Sequence, residues 1–122
     1  TREIIVRNSK GYGFTLSSCL KGIFNIYIAH AGHLDDNGNT IKGIEAQTEW
    51  CFKKLERTLK AAGASFDDVV KTTVLLKDAN DFKKMEEVYG RYFKEGFPAR
   101  TTILTVFLDS CLIQMDMVAY KN

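Results

Sequence analysis

The sequence predicts an α+β domain of order β-β-β-α-β-α-β-β, with two helices packed on one face of a single sheet. Three observations carry this. The apolar pattern is strand-like as far as Ala31, turns helical between Ile44 and Ala62, and then switches between strand and helix. The only proline, Pro98, sets a hard boundary between a helical stretch and a β-branched run. The final segment places Cys111, Ile113, Met115, Met117 and Ala119 on one face and Leu112, Gln114, Asp116, Val118 and Tyr120 on the other, a strand with one apolar side.

The elements follow in order. Glu3 to Asn8 has a β-branched centre, and an extended pattern resumes from Gly11 to Leu16, so two short strands are expected there. A third runs from Phe24 to Ala31 and completes an antiparallel meander, followed by the turn cluster Asp35-Asp36-Asn37-Gly38-Asn39. In the first helix Cys51, Leu55, Leu59 and Ala62 stack on one side, with Lys53, Lys54, Glu56, Arg57 and Lys60 on the other and Gly63 at the end. Val69 to Leu76 is apolar on both faces and reads as a central strand. The second helix starts near Asn80 or Asp81 and carries Phe82, Met85, Tyr89, Tyr92 and Phe93 on its stripe; Gly90 within it suggests the close approach of another element. After Pro98 come a strand to about Leu108, a tight turn at Asp109-Ser110, and the last strand from Cys111 to Tyr120. Two helices cover one face only, so the other face is expected to meet further copies in a closed ring.

With 122 residues the chain is one domain, 1–122. It has no apolar run near membrane-spanning length and no signal-peptide core, so a cytoplasmic location is expected. Cys19, Cys51 and Cys111 read as free buried thiols rather than a disulfide framework. His30 and His33 lack a nearby carboxylate pattern and read as packing or turn residues, so no metal is expected. A net charge of +2 with acids and bases interspersed argues against nucleic-acid binding. Arg100, opening a strand directly after Phe97-Pro98-Ala99, has a planar fork of donors suited to a carboxylate or phosphate. Position alone favours an arginine paired with a neighbouring acid.

The segments Ala31-Gly32-His33-Leu34, Gln47-Thr48, Leu59-Lys60-Ala61-Ala62-Gly63 and Asp68 to Val74 occur in one order with Phe82, Tyr89, Phe93 and Phe97-Pro98-Ala99-Arg100-Thr101. Together they resemble the Rid family, also called the YjgF or reactive intermediate deaminase family, from roughly Ile23 to Ala119. The resemblance implies a chorismate-mutase-like homotrimer with an inner β-barrel, helices outside, and ligand sites in clefts between subunits. It implies Arg100 as the grip on the carboxylate of a small acid and, in active members, hydrolysis of 2-imino acids to 2-oxo acids and ammonia without a cofactor. Gly32 is then either a strand terminator or a backbone donor lining the cleft, the family favouring the latter.

The family's water-directing glutamate falls on Gln114, which can position a water but not accept its proton. Asp116 shares its face and is the nearest alternative acid. The family's serine before the glycine is Ala31, the cysteine after the arginine is Thr102, and the helix asparagine is Glu86, read as a solvated helix residue. Tyr89 reads as core. The aromatic of the early strand is Tyr12 or Phe14. An imine deaminase is therefore expected, with Arg100 and Gln114 in the chemistry and Gly32, Ala31 and Thr102 at the ligand. A non-catalytic trimer binding small carboxylates or 2-oxo acids is the alternative, and a ribonuclease or translation inhibitor the third reading.

Overall fold

The computed structural model describes residues 3–8, 17–21, 25–93 and 96–121, with side chains for 25–93 and 96–121. Its elements are β1 (Glu3–Asn8), β2 (Ser17–Lys21), β3 (Asn25–Ala31), α1 (Ile44–Ala61), β4 (Val69–Leu76), α2 (Phe82–Tyr92), β5 (Ala99–Leu104) and β6 (Ile113–Tyr120). Short 3-10 turns at Phe66–Asp68 and Ala79–Asp81 lead into β4 and α2. This is the order expected from sequence. The described strands form one sheet, β1-β2-β3-β6-β4-β5, antiparallel except where β5 runs parallel to β4.

Two boundaries differ from expectation. The strand that joins β1 to β3 is Ser17–Lys21; the segment 11–16, and with it Tyr12 and Phe14, lies outside the described residues. The strand after Pro98 stops at Leu104 rather than Leu108, because β4, its only partner among the described residues, ends at Leu76, whose carbonyl takes the Thr105 N–H at 2.9 Å. Beyond it Val106 and Leu108 are 92 % and 93 % exposed.

The core lies between α1, α2 and one face of the sheet. Ile26 and Ile28 of β3, Val74 and Leu76 of β4, and Ile113, Met115, Met117 and Ala119 of β6 meet Cys51, Phe52, Leu55 and Leu59 of α1 and Met85, Val88 and Tyr89 of α2, all buried. At its centre the Phe52 ring stacks on Tyr92 at 4.3 Å and meets Tyr89 edge-on at 5.7 Å. Phe82 is an exception to the predicted stripe, being 43 % exposed. The opposite face carries Ala29 and Ala31 of β3, Leu75 of β4, and Gln114, Asp116 and Val118 of β6, all half-buried.

A buried polar side chain ties the sheet to α1. Gln47 donates from Nε2 to the Ile41 carbonyl at 2.9 Å and accepts the Leu112 N–H on Oε1 at 2.8 Å, joining the helix start to both flanking loops. Gly32 lies against it: a Cβ there would stand 2.5 Å from the Gln47 carbonyl oxygen. The Gly32 N–H goes to the Ile113 carbonyl at 3.0 Å, so the glycine extends the β3–β6 ladder and is not a free donor to a ligand. Cys51 and Cys111 are free and buried, as expected, while the side chain of Cys19 lies outside those described. No helix among the described residues is long and apolar enough to cross a membrane.

Gly32→Ala forces backbone against backbone and is expected to destabilise by about 1–3 kcal/mol in chemical denaturation. His30 supplies a pH test. It is buried beneath α1, and burial first, then the Lys54 and Arg57 charges, take it from 6.5 down to about 3. The unfolded chain takes up this proton below pH 6.5 and the folded chain does not until about 3, so stability falls with acidification across that window. The slope from this group is about 1.4 kcal/mol per pH unit, and His30→Leu is expected to flatten the measured stability-pH curve by that amount.

Candidate functional site

Pairing with β4 decides where the predicted residues point. Arg100 is in register with Thr72 and Thr102 with Val74, both buried on the helix-covered face, whereas Gln114 is in register with Leu75 and Ala31 on the other. Side chains in register share a face and parity alternates along a strand. Arg100 and Gln114 therefore stand on opposite faces of the sheet within one chain, each beside its own cavity.

The Arg100 cavity, ≈ 330 Å³, is lined by Glu86, Tyr89, Gly90, Phe97 and Arg100. The guanidinium lies over the Tyr89 ring, 4.7 Å from its centroid, with Phe82 at 6.0 Å. Phe97 stacks nearly parallel to Tyr89, 6.4 Å away between centroids and 65 % exposed. Tyr89 is fixed by a 2.8 Å hydrogen bond between its hydroxyl and that of Thr72, and burial pushes its phenol above the usual range. Tyr89 thus belongs to the core, as predicted, and also forms the cavity floor.

Glu86 is not the solvated residue expected. Its Oε1 forms an ion pair with Arg100 Nη1, so the guanidinium is charge-compensated by its own chain. The close approach expected at Gly90 is not found either: a Cβ there would meet nothing within 4 Å, and the residue borders the open cavity. Thr102 sits two residues along the same face, does not line this cavity, and has a buried hydroxyl without a hydrogen-bond partner among the described residues.

The Gln114 cavity, ≈ 300 Å³, opens on the opposite face, with Ala29, Ala31 and Leu75 as floor and the segment from Thr105 to Asp109 as wall. His33 and Cys111 complete it. His33 Nε2 lies 2.9 Å from Asp109 Oδ2, which supplies the carboxylate partner not apparent in sequence. Asp109 Oδ1 accepts the Cys111 N–H at 3.0 Å, while the Cys111 thiol donates to the Ile113 carbonyl at 3.0 Å and burial pushes it up to about 11. Donors on His33, Asp109 and Cys111 lie within 4.8 Å of one another, a set chemically able to ligate a metal but already engaged with each other and with the backbone. Asp116 shares the face without lining the cavity, and burial raises its carboxyl.

Sequence reasoning thus located Arg100, Ala31 and Gln114 beside cavities and missed Glu86 and Asp109 as their companions. Glu86 sits one helical turn before Tyr89, whose ring carries Arg100, a signal in the spacing itself. Asp109 is 76 residues from His33 and had none.

Residues 21–121 match the family model described as endoribonuclease L-PSP. A RutC family protein of Pyrococcus abyssi is 44 % identical over 100 residues, covering 80 % of this chain and 79 % of the relative. The human 2-iminobutanoate/2-iminopropanoate deaminase is 43 % identical over 100 residues, 80 % of this chain and 73 % of that one. Among solved structures, RidA from the Antarctic bacterium Psychrobacter superimposes with a TM-score of 0.82 at 25 % identity over 93 % of both chains. A Rid family protein of Yersinia pestis gives 0.87 at 23 %, covering 98 % of this chain and 99 % of that one, a likeness of fold.

Thr72→Val removes one partner of the buried Tyr89 hydroxyl, leaving that from Arg100, and is expected to cost about 0.5–1.5 kcal/mol in thermal or urea unfolding. Thr72→Ser, which keeps the hydroxyl, is expected to recover most of that.

Proposed function

The chain belongs to the Rid family, and from that premise we propose that it hydrolyses small 2-imino acids to 2-oxo acids and ammonia, at clefts completed between copies of the chain in a homotrimer. The observation that carries the reading is the placement of Arg100 and Gln114 in separate cavities on opposite faces. A site holding both requires the open face of one copy to meet the edge of another. That face and the loop beside it expose Tyr27, Ile103, Val106, Leu108 and Tyr120, apolar surface suited to such a contact.

In this reading Arg100 grips the substrate carboxylate with charge-assisted hydrogen bonds and sets the imine carbon in place. Gln114 of the adjoining copy orients a water toward that carbon. Asp109, which lines the Gln114 cavity and is steadied by His33, is better placed than Asp116 to take the proton of the water. Attack forms a carbon–oxygen bond, the carbon–nitrogen bond breaks, and the nitrogen leaves as ammonia with the 2-oxo acid behind. The chemistry calls for no cofactor.

A trimer that binds small carboxylates without turnover is the second reading, favoured by the amide at position 114. The nuclease reading draws no support from the histidines: His30 and His33 are 5 % and 4 % exposed, and His30 is held neutral by burial.

Mixing the purified chain with an amino-acid dehydratase and following the short-lived imine tests the proposal. The parent is expected to accelerate its loss, Arg100→Ala to abolish both acceleration and 2-oxo acid binding, and Asp109→Asn to keep binding while losing about 10²-fold or more in rate. Binding that depends on Arg100 without any acceleration over buffer replaces the enzyme with the binder.

A further inference from the structure

We propose that Glu86 makes the Arg100 site selective for ligands with a cationic nitrogen next to the carboxylate, namely protonated 2-imino acids and α-amino acids, over 2-oxo acids of the same carbon skeleton. This rests on the reading of Arg100 as the carboxylate clamp. It concerns what else the clamp reads.

Arg100 and Glu86 are in direct contact within a cavity floored by Tyr89 and edged by Phe97. A guanidinium has five N–H donors, so Arg100 can serve a ligand carboxylate while keeping Glu86. The ligand's carboxylate then lies close to a second one. Aromatic walls on this side lower the local dielectric, so that repulsion is felt more than in water. Arg100 and Glu86 are neutral as a pair, and a 2-oxo acid brings one negative charge that nothing there balances. A ligand bearing an ammonium or iminium beside its carboxylate adds none, and its N–H can donate to the Glu86 carboxylate, whose side chain is 39 % exposed. A site with such an acceptor rejects an analogue lacking the donor, since the acceptor is desolvated without return.

The placement also bears on turnover. An iminium carbon is more electrophilic than that of a neutral imine, and a carboxylate holding the N–H favours the protonated form. The product's neutral carbonyl loses that contact, so the same residue weakens product binding. The ≈ 330 Å³ cavity leaves room for the ligand's alkyl side chain over Gly90 and beside Phe97.

Titration calorimetry on the full chain with 2-aminobutyrate and 2-oxobutyrate tests this, using Glu86→Gln and Arg100→Ala as variants. The parent is expected to bind the amino acid at least about tenfold more tightly than the oxo acid. Glu86→Gln, of the same shape without the charge, is expected to erase that ratio by tightening the oxo acid and weakening the amino acid. Arg100→Ala is expected to lose both. Equal binding of the two ligands by the parent, a preference for the oxo acid, or an unchanged ratio in Glu86→Gln overturns the role of Glu86 while leaving Arg100 as clamp. Binding undiminished in Arg100→Ala, or no binding of either ligand to the parent, overturns the clamp and the selectivity with it.

Discussion

The parallel register of β5 on β4 fixes the face on which the guanidinium of Arg100 emerges, and the make-up of the Arg100 cavity follows from that. Thr72, in register with Arg100, is wholly buried and bonded to Tyr89 of α2. The arginine therefore rises against a helix rather than into the open side of the sheet. A register slip of one residue would put it beside Thr73 and on the other face. Pro98 serves the same end, since it forbids the helix from running into β5 and leaves Ala99 as the first strand residue.

Gln47 does for the second cavity what Thr72 does for the first. Its amide holds Ile41 and Leu112, the ends of the two loops that flank the start of α1, and the contact with Gly32 leaves no room for a side chain between helix and sheet. Leu112 then leads directly into β6, so the height of Gln114 above Ala31 is set by a buried side chain 67 positions earlier. Buried amides whose donor and acceptor are both met specify geometry better than apolar contacts of equal area.

Much of this was legible in the sequence. The order of elements, the covered face of β6 and the stripe of α1 follow from apolar periodicity, which depends on burial alone and burial is what the fold requires. The second strand was not, because Ser17 to Lys21 has too little alternation to announce itself and is recruited by β3, already flanked by β6. The Glu86 and Arg100 pair was half legible: periodicity places Glu86 beside Tyr89, but only the crossing of α2 over β5 brings the arginine to it. The His33 and Asp109 pair was not legible at all, since it depends on the path of an irregular loop.

The fold and the chemistry make different demands at the same position. At 114 the fold asks only for a side chain that tolerates half-burial on the open face, because Met115 and Ile113 supply the core contacts on either side. Glutamine meets that demand as well as glutamate. An amide there costs nothing in packing, so the fold does not distinguish the two. Position 86 is the converse case, where a carboxylate has been placed against Arg100 at no cost to α2, on a side chain that reaches out from the helix rather than into it. The open face thus carries an amide at 114, while the helix-covered face carries a carboxylate paired with Arg100. The Arg100 cavity is therefore defined by the ion pair and its aromatic walls together rather than by the arginine alone.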